Sequence, residues 1–273
     1  MTRDAEPGTV PAHPSPDRWL LEAMDTVVSL LIPGAGRAAD PVVEAITDDL
    51  ARIEERASVF RPDSEINRWS QGRLAEDDLS PETRQILAGC AELAERSSGV
   101  FSPWREGRYD PTGYTKGWAM AQVARRLDDA GFGSYCLNAG GDIVARGRGP
   151  TGRPWRIGIA HPFRAGELAL VLTPVPDDPA PFAVATSGTT ERGRHIAHPV
   201  TGWRPTHSMV TVVGVGIAEV DAIATAALAA GEHGHVEPAR LIRALGLEGF
   251  GFDEERRPWW TDGMTAYAPL PRL

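Results

Sequence analysis

The sequence predicts an α+β fold arranged as one domain, and three observations lead to that prediction. Apolar residues recur at helical spacing in several segments. Short apolar runs bounded by Gly, Pro and Asn have the composition of strands. The two kinds of segment do not alternate regularly, so a doubly wound parallel sheet is not expected. We therefore expect a mixed sheet with packed helices.

The helices are placed by their apolar stripes and by the residues at their ends. Residues 43–57 carry the first stripe. Pro81 opens the second helix, which ends at residues 97–99, Ser-Ser-Gly. The remaining helices are expected over residues 116–130, 218–230 and 238–245.

The strands are expected on both sides of these helices. Residues 20–32 form a first strand or hairpin arm that breaks at Pro33-Gly34. A hairpin turn is predicted at Gly140-Gly141-Asp142, and residues 174–181 are expected to be a surface loop. The other predicted strands are residues 135–138, 143–146, 155–160, 168–173, 182–186 and 209–215.

Composition narrows the class of protein. The 273 residues carry a formal net charge of −9, so general attraction to nucleic acid is not expected. Cys90 and Cys136 are expected to be free thiols. Residues 1–17 are rich in proline and lack the apolar run of a signal peptide. No apolar stretch reaches the roughly 18 residues of a membrane span. We expect a cytoplasmic protein without membrane insertion, with a disordered tail over residues 1–17 and one domain over residues 18–273.

The first segment with chemical character runs from Asp110 to Gly117. It places a carboxylate, a glycine turn and Lys116 just before a predicted helix. Because a helix N-terminus offers free N–H groups and the positive end of its dipole, it suits a phosphate. The spacing is not that of a P-loop. Taken alone, the segment also fits a loop with a surface lysine.

Two further segments combine small residues with possible ligand contacts. Gly140 and Gly141 allow close backbone approach to a ligand before Asp142. Thr186, Ser187 and Gly188 offer hydroxyl and N–H donors to a phosphate or to a flavin ring edge. Taken alone, the Gly140-Gly141-Asp142 segment also fits a plain hairpin turn.

The histidine segment follows shortly afterwards. His195 can act as an acid or base near neutral pH. Its spacing to His198 also suggests zinc, but Pro199 prevents a continuous helix and no third ligand is near in sequence. Two ordinary loop histidines remain the alternative.

Asp221 and Thr225 lie four residues apart on a predicted helix. Positions i and i+4 share one helix face, so the carboxylate and the hydroxyl point the same way. Hard oxygen ligands of this kind suit magnesium, which often completes its coordination with substrate phosphates. The alternative is that Asp221 caps the helix while Thr225 packs.

These segments, in this order, resemble the ApbE family of FAD:protein FMN transferases over residues 24–231. The resemblance begins at Met24-Asp25-Thr26 and continues through residues 58–67 and 98–101. It then takes in the four segments described above. The resemblance implies a T-fold-related domain. It implies an enzyme that moves FMN from FAD to a Thr or Ser hydroxyl of an acceptor flavoprotein and releases AMP.

The resemblance also implies roles for individual residues. Catalysis is expected from Asp221, His195 and Lys116, with Asp221 and His195 as the candidate bases. One or two Mg²⁺ or Mn²⁺ ions would be held by the carbonyl of Gly113, by Asp221 and by Thr225. FAD contacts are expected from Met24, Phe60, Ser98, Gly99, Val100, Phe101, Asp110, Lys116, Gly141, Asp142, Thr186, Ser187, Gly188, His195 and Ile196.

The sequence departs from the family pattern in two of its motifs. Asp25 replaces a glycine, and His198 stands where the family often has aspartate. Both changes bear on flavin affinity and on transfer. Two alternatives stay open: hydrolysis of FAD to FMN and AMP, which the same metal site would serve, and FAD binding without turnover, which the changes at Asp25 and His198 make plausible.

Overall fold

One large antiparallel sheet organises the chain. The computed structural model describes residues 17–105, 107–175, 180–188, 209–230, 236–253 and 255–270. The strands are β1 Arg18–Ala23, β2 Thr26–Leu31, β3 Trp104–Arg105, β4 Arg108–Tyr109, β5 Tyr135–Ala139, β6 Asp142–Arg146, β7 Ile157–Ala160, β8 Leu168–Leu172, β9 Phe182–Gly188, β10 Met209–Gly214, β11 Glu248–Phe252 and β12 Pro258–Trp260. The helices are α1 Asp40–Ala57, α2 Glu65–Ser70, α3 Pro81–Arg96, α4 Thr112–Asp129, α5 Ile217–Ala230 and α6 Pro238–Ala244.

The sheet has eight strands in the order β1-β2-β5-β6-β9-β10-β11-β12. Its two faces carry separate cores, because successive strand residues point to opposite sides. On β6, Val144 faces the core under the helices, whereas the neighbouring Ala145 faces the core under the β7–β8 hairpin. The sheet is therefore a middle layer with the helices on one side. None of the described helices combines the length and apolarity needed to cross a membrane.

The α+β class is confirmed, but the sheet is antiparallel rather than mixed. Every pairing recorded between described strands is antiparallel. The pairs β1–β2, β5–β6 and β11–β12 are joined by short connections, and a short connection reverses the chain direction. Sequence patterns within one strand carry no information on the direction of its partner.

The long helices agree with their predicted apolar stripes. In α1, the residues Val43, Ile46, Leu50, Ile53 and Ala57 are buried. Helix α3 begins after Ser80, whose side chain accepts the N–H of Thr83, and has Pro81 in its first turn. The predicted elements lack the short helix α2, capped by Ser64, the small β3–β4 hairpin and the strand β11.

Helix α4 begins one turn earlier than predicted. Asp110 Oδ1 accepts hydrogen bonds from the Thr112 N–H at 3.0 Å and from Thr112 Oγ1 at 2.6 Å. This bonding satisfies a first-turn donor, so the helix starts at Thr112. Lys116 consequently lies inside the helix and not before it.

The first predicted strand is a hairpin. Residues 20–32 divide into β1 and β2, and Ala23 pairs with Thr26 across a two-residue turn. Asp17, assigned above to the tail, accepts the N–H groups of Gly34 and Gly36 at 3.0 and 2.9 Å. Asp17 is therefore part of the fold, while residues 1–16 lie outside the described part of the chain.

Helices α4 and α5 pack unusually closely at Gly117. A Cβ atom at this position would lie 2.7 Å from both Ala218 Cα and Ile217 O. These neighbours are backbone atoms, which cannot rotate away. Glycine therefore allows the contact that brings the two helices together beside the cavity described below.

Replacing Gly117 with Ala is expected to destabilise the protein. Overpacking costs about 1–3 kcal/mol, and the gain in helix propensity is about 1 kcal/mol, so we expect a net loss of about 1 kcal/mol. Urea unfolding measures this free energy. Gly133→Ala is the control, because a Cβ there would meet nothing within 4 Å. A Gly117→Ala variant as stable as Gly133→Ala would contradict the close packing.

Candidate active site

A cavity of about 460 Å³ lies between α1, the start of α4 and α5. The β1–β2 turn and the loops before α2 and after α3 complete its walls. Cavities that bind small molecules commonly have volumes of about 300–1,000 Å³. Helices, a turn and loops from distant parts of the chain therefore form one site of suitable size for a ligand.

At the floor of this cavity, the ammonium group of Lys116 lies between two carboxylates. Lys116 Nζ contacts the carboxylate of Asp142 and lies 3.6 Å from Asp221 Oδ2. The side chains of Asp142 and Asp221 are 4% and 8% exposed, whereas that of Lys116 is 26% exposed. The two carboxylates are therefore shielded from water, and the ammonium group reaches the cavity.

Asp221 has an oxygen that the described residues leave without a hydrogen bond. This atom, Oδ2, is buried and finds no hydrogen-bond partner in the described part of the chain. Burial raises the pKa of Asp221, and the nearby charge of Asp142 raises it further. Lys116 and the N–H of Gly117 lower this pKa but do not cancel the increase. A cation placed here would stabilise the ionised carboxylate.

The oxygen donors around Asp221 fit a magnesium ion. Thr225 lies one helical turn further along α5, and its Oγ1 is 3.0 Å from Ser187 Oγ. Gly113, in the first turn of α4, lines the same cavity. Magnesium prefers oxygen ligands and binds through few protein carboxylates. The capping alternative is wrong, because α5 begins at Ile217 and places Asp221 in its second turn.

Asp142 lies beneath the cavity instead of lining it. The Gly140-Gly141 turn has φ values of +62° and +98°, which glycine adopts easily, and it makes Asp142 the first residue of β6. The N–H of Thr186 donates to Asp142 Oδ1 at 3.4 Å. This arrangement places the Asp142 carboxylate against Lys116. Gly141 is exposed and does not line the cavity.

The turn that ends α3 shapes one wall. Ser98 and Gly99 have φ values of +53° and +81°, and the Gly99 N–H donates to Ala94 O at 2.8 Å. A turn of this kind terminates a helix. It directs Val100 and Phe101 into the cavity wall. Ser98 and Gly99 themselves do not line the cavity.

The remaining predicted contacts are distributed around the site. Met24, Phe60 and Asp110 line the cavity, and Phe60 is 86% exposed at its mouth. Ser187 contacts the site through Thr225, and Gly188 is the last residue of β9. His195 and Ile196 lie outside the described residues. For all of them, the FAD contact stays a prediction.

Sequence reasoning missed two charged cavity residues, Glu54 and Arg105. Glu54 lies on α1 between the buried Ile53 and Ala57. Nothing in the local pattern separates it from the neighbouring Glu55. Only its position next to the β1–β2 turn distinguishes it.

The fold and the cavity define a candidate ligand site, with Lys116 and Asp221 among its lining residues. The family model described as the ApbE family matches residues 24–106 and 104–245. This match covers well over half of the chain, and the chain belongs to the ApbE family.

Several relatives agree with this assignment. The chain is 29% identical over 234 residues to the FAD:protein FMN transferase of Haemophilus influenzae, covering 79% of this chain and 66% of the relative. It is 28% identical over 183 residues to the protein of the same name from Vibrio cholerae, covering 61% and 53%. The chain thus spans between about half and two thirds of the length of these relatives.

Solved structures show the same fold. Flavin transferase ApbE from Vibrio cholerae superposes with a TM-score of 0.75 at 19% identity, covering 92% of this chain and 98% of that one. The ApbE protein of Thermotoga maritima superposes with a TM-score of 0.79 at 18% identity, covering 92% and 99%. The architecture of the described sheet and helices is therefore that of ApbE proteins.

Proposed function

We propose that this protein transfers FMN from FAD to a Thr or Ser hydroxyl of an acceptor protein and releases AMP, in a reaction that depends on magnesium. The observation that carries the proposal is the floor of the cavity. There, Lys116 faces the buried Asp221, one of whose oxygens the described residues leave without a hydrogen bond. The names of the relatives support the same activity.

Lys116 is proposed to hold the pyrophosphate of FAD. Its ammonium group is a point charge with three donors, and it is partly exposed to the cavity. The exposed Phe60 and the wall residue Phe101 offer aromatic surface to the rings of FAD. Asp142 keeps the lysine directed at the cavity floor. Contacts to the central pyrophosphate and to a ring system would thus hold the substrate at two points.

A magnesium or manganese ion would be held by Asp221, Thr225 and the Gly113 carbonyl. When bound, such an ion neutralises the charge that develops on the phosphates. The donor chemistry supports this assignment, since all three groups offer hard oxygen atoms. With the metal ion bound, ionised Asp221 would have a second cation beside it, in addition to Lys116. The two cations together would offset the charges of Asp221 and Asp142.

The reaction exchanges one P–O bond for another. The acceptor oxygen forms a bond to the FMN-side phosphorus, and the bond from that phosphorus to the AMP oxygen breaks. AMP leaves with the bonding electron pair. The acceptor proton passes to a base, for which Asp221 and His195 are the candidates, and Lys116 offsets negative charge on the leaving phosphate.

Incubation with FAD and magnesium tests the proposal. We expect FAD to bind with micromolar or tighter affinity, more tightly with magnesium, as measured by calorimetry. With a purified flavoprotein acceptor, mass spectrometry should find FMN attached to Thr or Ser, together with free AMP. Free FMN would indicate hydrolysis, and bound intact FAD would indicate a binding protein. Absence of FAD binding both with and without magnesium would refute the proposal.

The cytoplasmic location stays a prediction.

A further inference from the structure

We propose that Glu54 is a positioning residue that holds the β1–β2 turn at the mouth of the cavity and thereby sets the affinity for FAD. The inference rests on the proposed function, since it concerns the same ligand. It adds a residue that neither the sequence motifs nor the floor of the cavity identifies.

The turn between β1 and β2 has an unfavourable backbone for its residues. Met24 and Asp25 form a two-residue connection, because Ala23 pairs with Thr26. Their φ values are +52° and +57°. Such turns favour Asn-Gly or Asp-Gly, since a Cβ atom crowds the backbone at positive φ. Methionine at the first position is therefore a poor residue for this turn, and aspartate at the second is less favourable than glycine.

Glu54 supplies a contact from outside the turn. Its Oε2 accepts the N–H of Met24 at 3.0 Å. A hydrogen bond to an ionised acceptor is stronger than one between neutral groups. Ile53 and Ala57, which flank Glu54 on α1, are 4% and 3% exposed, so the helix surface that carries it is firmly packed. The carboxylate thus ties a strained turn to a fixed helix.

The tied turn forms part of the proposed FAD site. Met24, Asp25 and Glu54 all line the cavity, on the side formed by α1 and the hairpin, whereas Lys116 and Asp221 belong to α4 and α5. A wall that is ordered before binding lowers the entropic cost of ordering it with the ligand. Loss of the Glu54 contact should therefore weaken FAD binding without changing the chemical step.

The carboxylate is better suited to positioning than to direct contact with the pyrophosphate. An ionised glutamate beside a phosphate would repel it. Glutamine can replace glutamate as an acceptor without that charge, so Glu54→Gln separates the two roles. Positioning predicts that Gln preserves most of the affinity, whereas a role for the negative charge itself predicts that Gln behaves like Ala.

Calorimetry and steady-state kinetics test the inference. For Glu54→Ala, we expect Kd and KM for FAD to rise about tenfold, the lower end of the loss of a charge-assisted hydrogen bond, with kcat within about twofold. Glu54→Gln should stay within about threefold of the wild type. Glu55→Ala is the matched control, because it removes the same charge from the next, exposed position of α1, and it should match the wild type.

A double-variant cycle shows whether Glu54 acts through the turn. Asp25→Gly relieves the positive φ at the second position and should raise the thermal midpoint. In that background, Glu54→Ala should raise Kd less than about threefold, because a turn with glycine at its second position depends less on the hydrogen bond to Glu54. Equal penalties in both backgrounds would overturn the positioning role. If Glu54→Ala alone does not fold, the FAD affinities of Glu54→Gln and of Asp25→Gly/Glu54→Ala test the positioning role instead.

The outcomes also separate this inference from the proposed function. A wild type that transfers FMN, together with a Glu54→Ala variant of unchanged Kd and KM, overturns only the role of Glu54. A wild type that binds no FAD overturns both. A wild type that binds but does not turn over FAD refutes the transferase function, and the Kd values still test the positioning role.

Discussion

Asp221→Asn is expected to remove FMN transfer while leaving the protein folded. Asparagine has nearly the same shape but lacks the negative charge needed to hold a divalent cation. We expect kcat/KM to fall by about two to three orders of magnitude, as for loss of one preorganised electrostatic group. Stability should be unchanged or higher, because the variant removes a buried carboxylate whose Oδ2 lacks a hydrogen bond within the described residues.

Two variants on the same helix sharpen this test. Thr225→Ala removes a neutral ligand that water can replace, so its loss of activity should be smaller. Glu219→Gln neutralises a carboxylate that pairs with Arg96 at 2.6 Å and does not line the cavity. It should retain wild-type activity, because such partly exposed pairs contribute little. AMP release across a magnesium titration measures all three, and wild-type activity of Asp221→Asn at low magnesium would exclude a metal role.

The magnesium requirement should depend on pH. The pKa of Asp221 is raised by burial and by Asp142. At a given pH, a larger fraction of this carboxyl is therefore protonated than of an ordinary aspartate, and that fraction grows as pH falls. Because a metal binds the ionised form, binding must displace that proton. The apparent affinity of the wild type for magnesium should therefore strengthen as pH increases. An affinity that does not change with pH would contradict the assignment.

Lys116→Met is the second large effect that we expect, on both binding and stability. Methionine keeps much of the chain length but leaves the carboxylates of Asp142 and Asp221 facing each other. Loss of the contact to the pyrophosphate should weaken FAD binding by about 1.5–3 kcal/mol. The unfolding free energy should fall by about 2–3 kcal/mol, less than the 3–5 kcal/mol of a fully buried pair, because Lys116 is 26% exposed.

The double variant Lys116→Met/Asp142→Asn separates the two effects. It removes the charge that Lys116 compensates, so stability should recover while FAD affinity stays low. Chemical unfolding and calorimetry measure the two quantities independently. If the double variant also recovered FAD affinity, the phosphate role of Lys116 would be wrong. If Lys116→Met left both quantities unchanged, the lysine would be an ordinary surface residue.

Local sequence patterns were sufficient to predict the long helices that bury one face. The stripes of α1 and α3 are visible because one face of each helix is buried, and burial selects apolar residues at a fixed spacing. The start of α4 was missed because a side chain outside the helix, Asp110, determines it. Helix α2 was missed because six residues are too short for a clear period.

In the candidate site, too, local sequence predicted some features, whereas others depend on distant segments. Asp221 and Thr225 were paired from their spacing, since positions four apart share a helix face whatever the rest of the chain does. The contact of Lys116 with Asp142 depends instead on how α4 packs against the sheet, and the close approach at Gly117 depends on α5. Spacing along one element cannot report a distance between two.

The sequence by itself determined the α+β class and the main helical stripes, and it supplied the residues that we propose for phosphate and metal binding. Tertiary structure alone decided the antiparallel strand order, the burial of Asp221 and the tie from Glu54 to Met24, which are 30 residues apart. The physical reason is that periodicity records which side of a segment is buried, whereas burial depth and pairing depend on the distant segments that cover it.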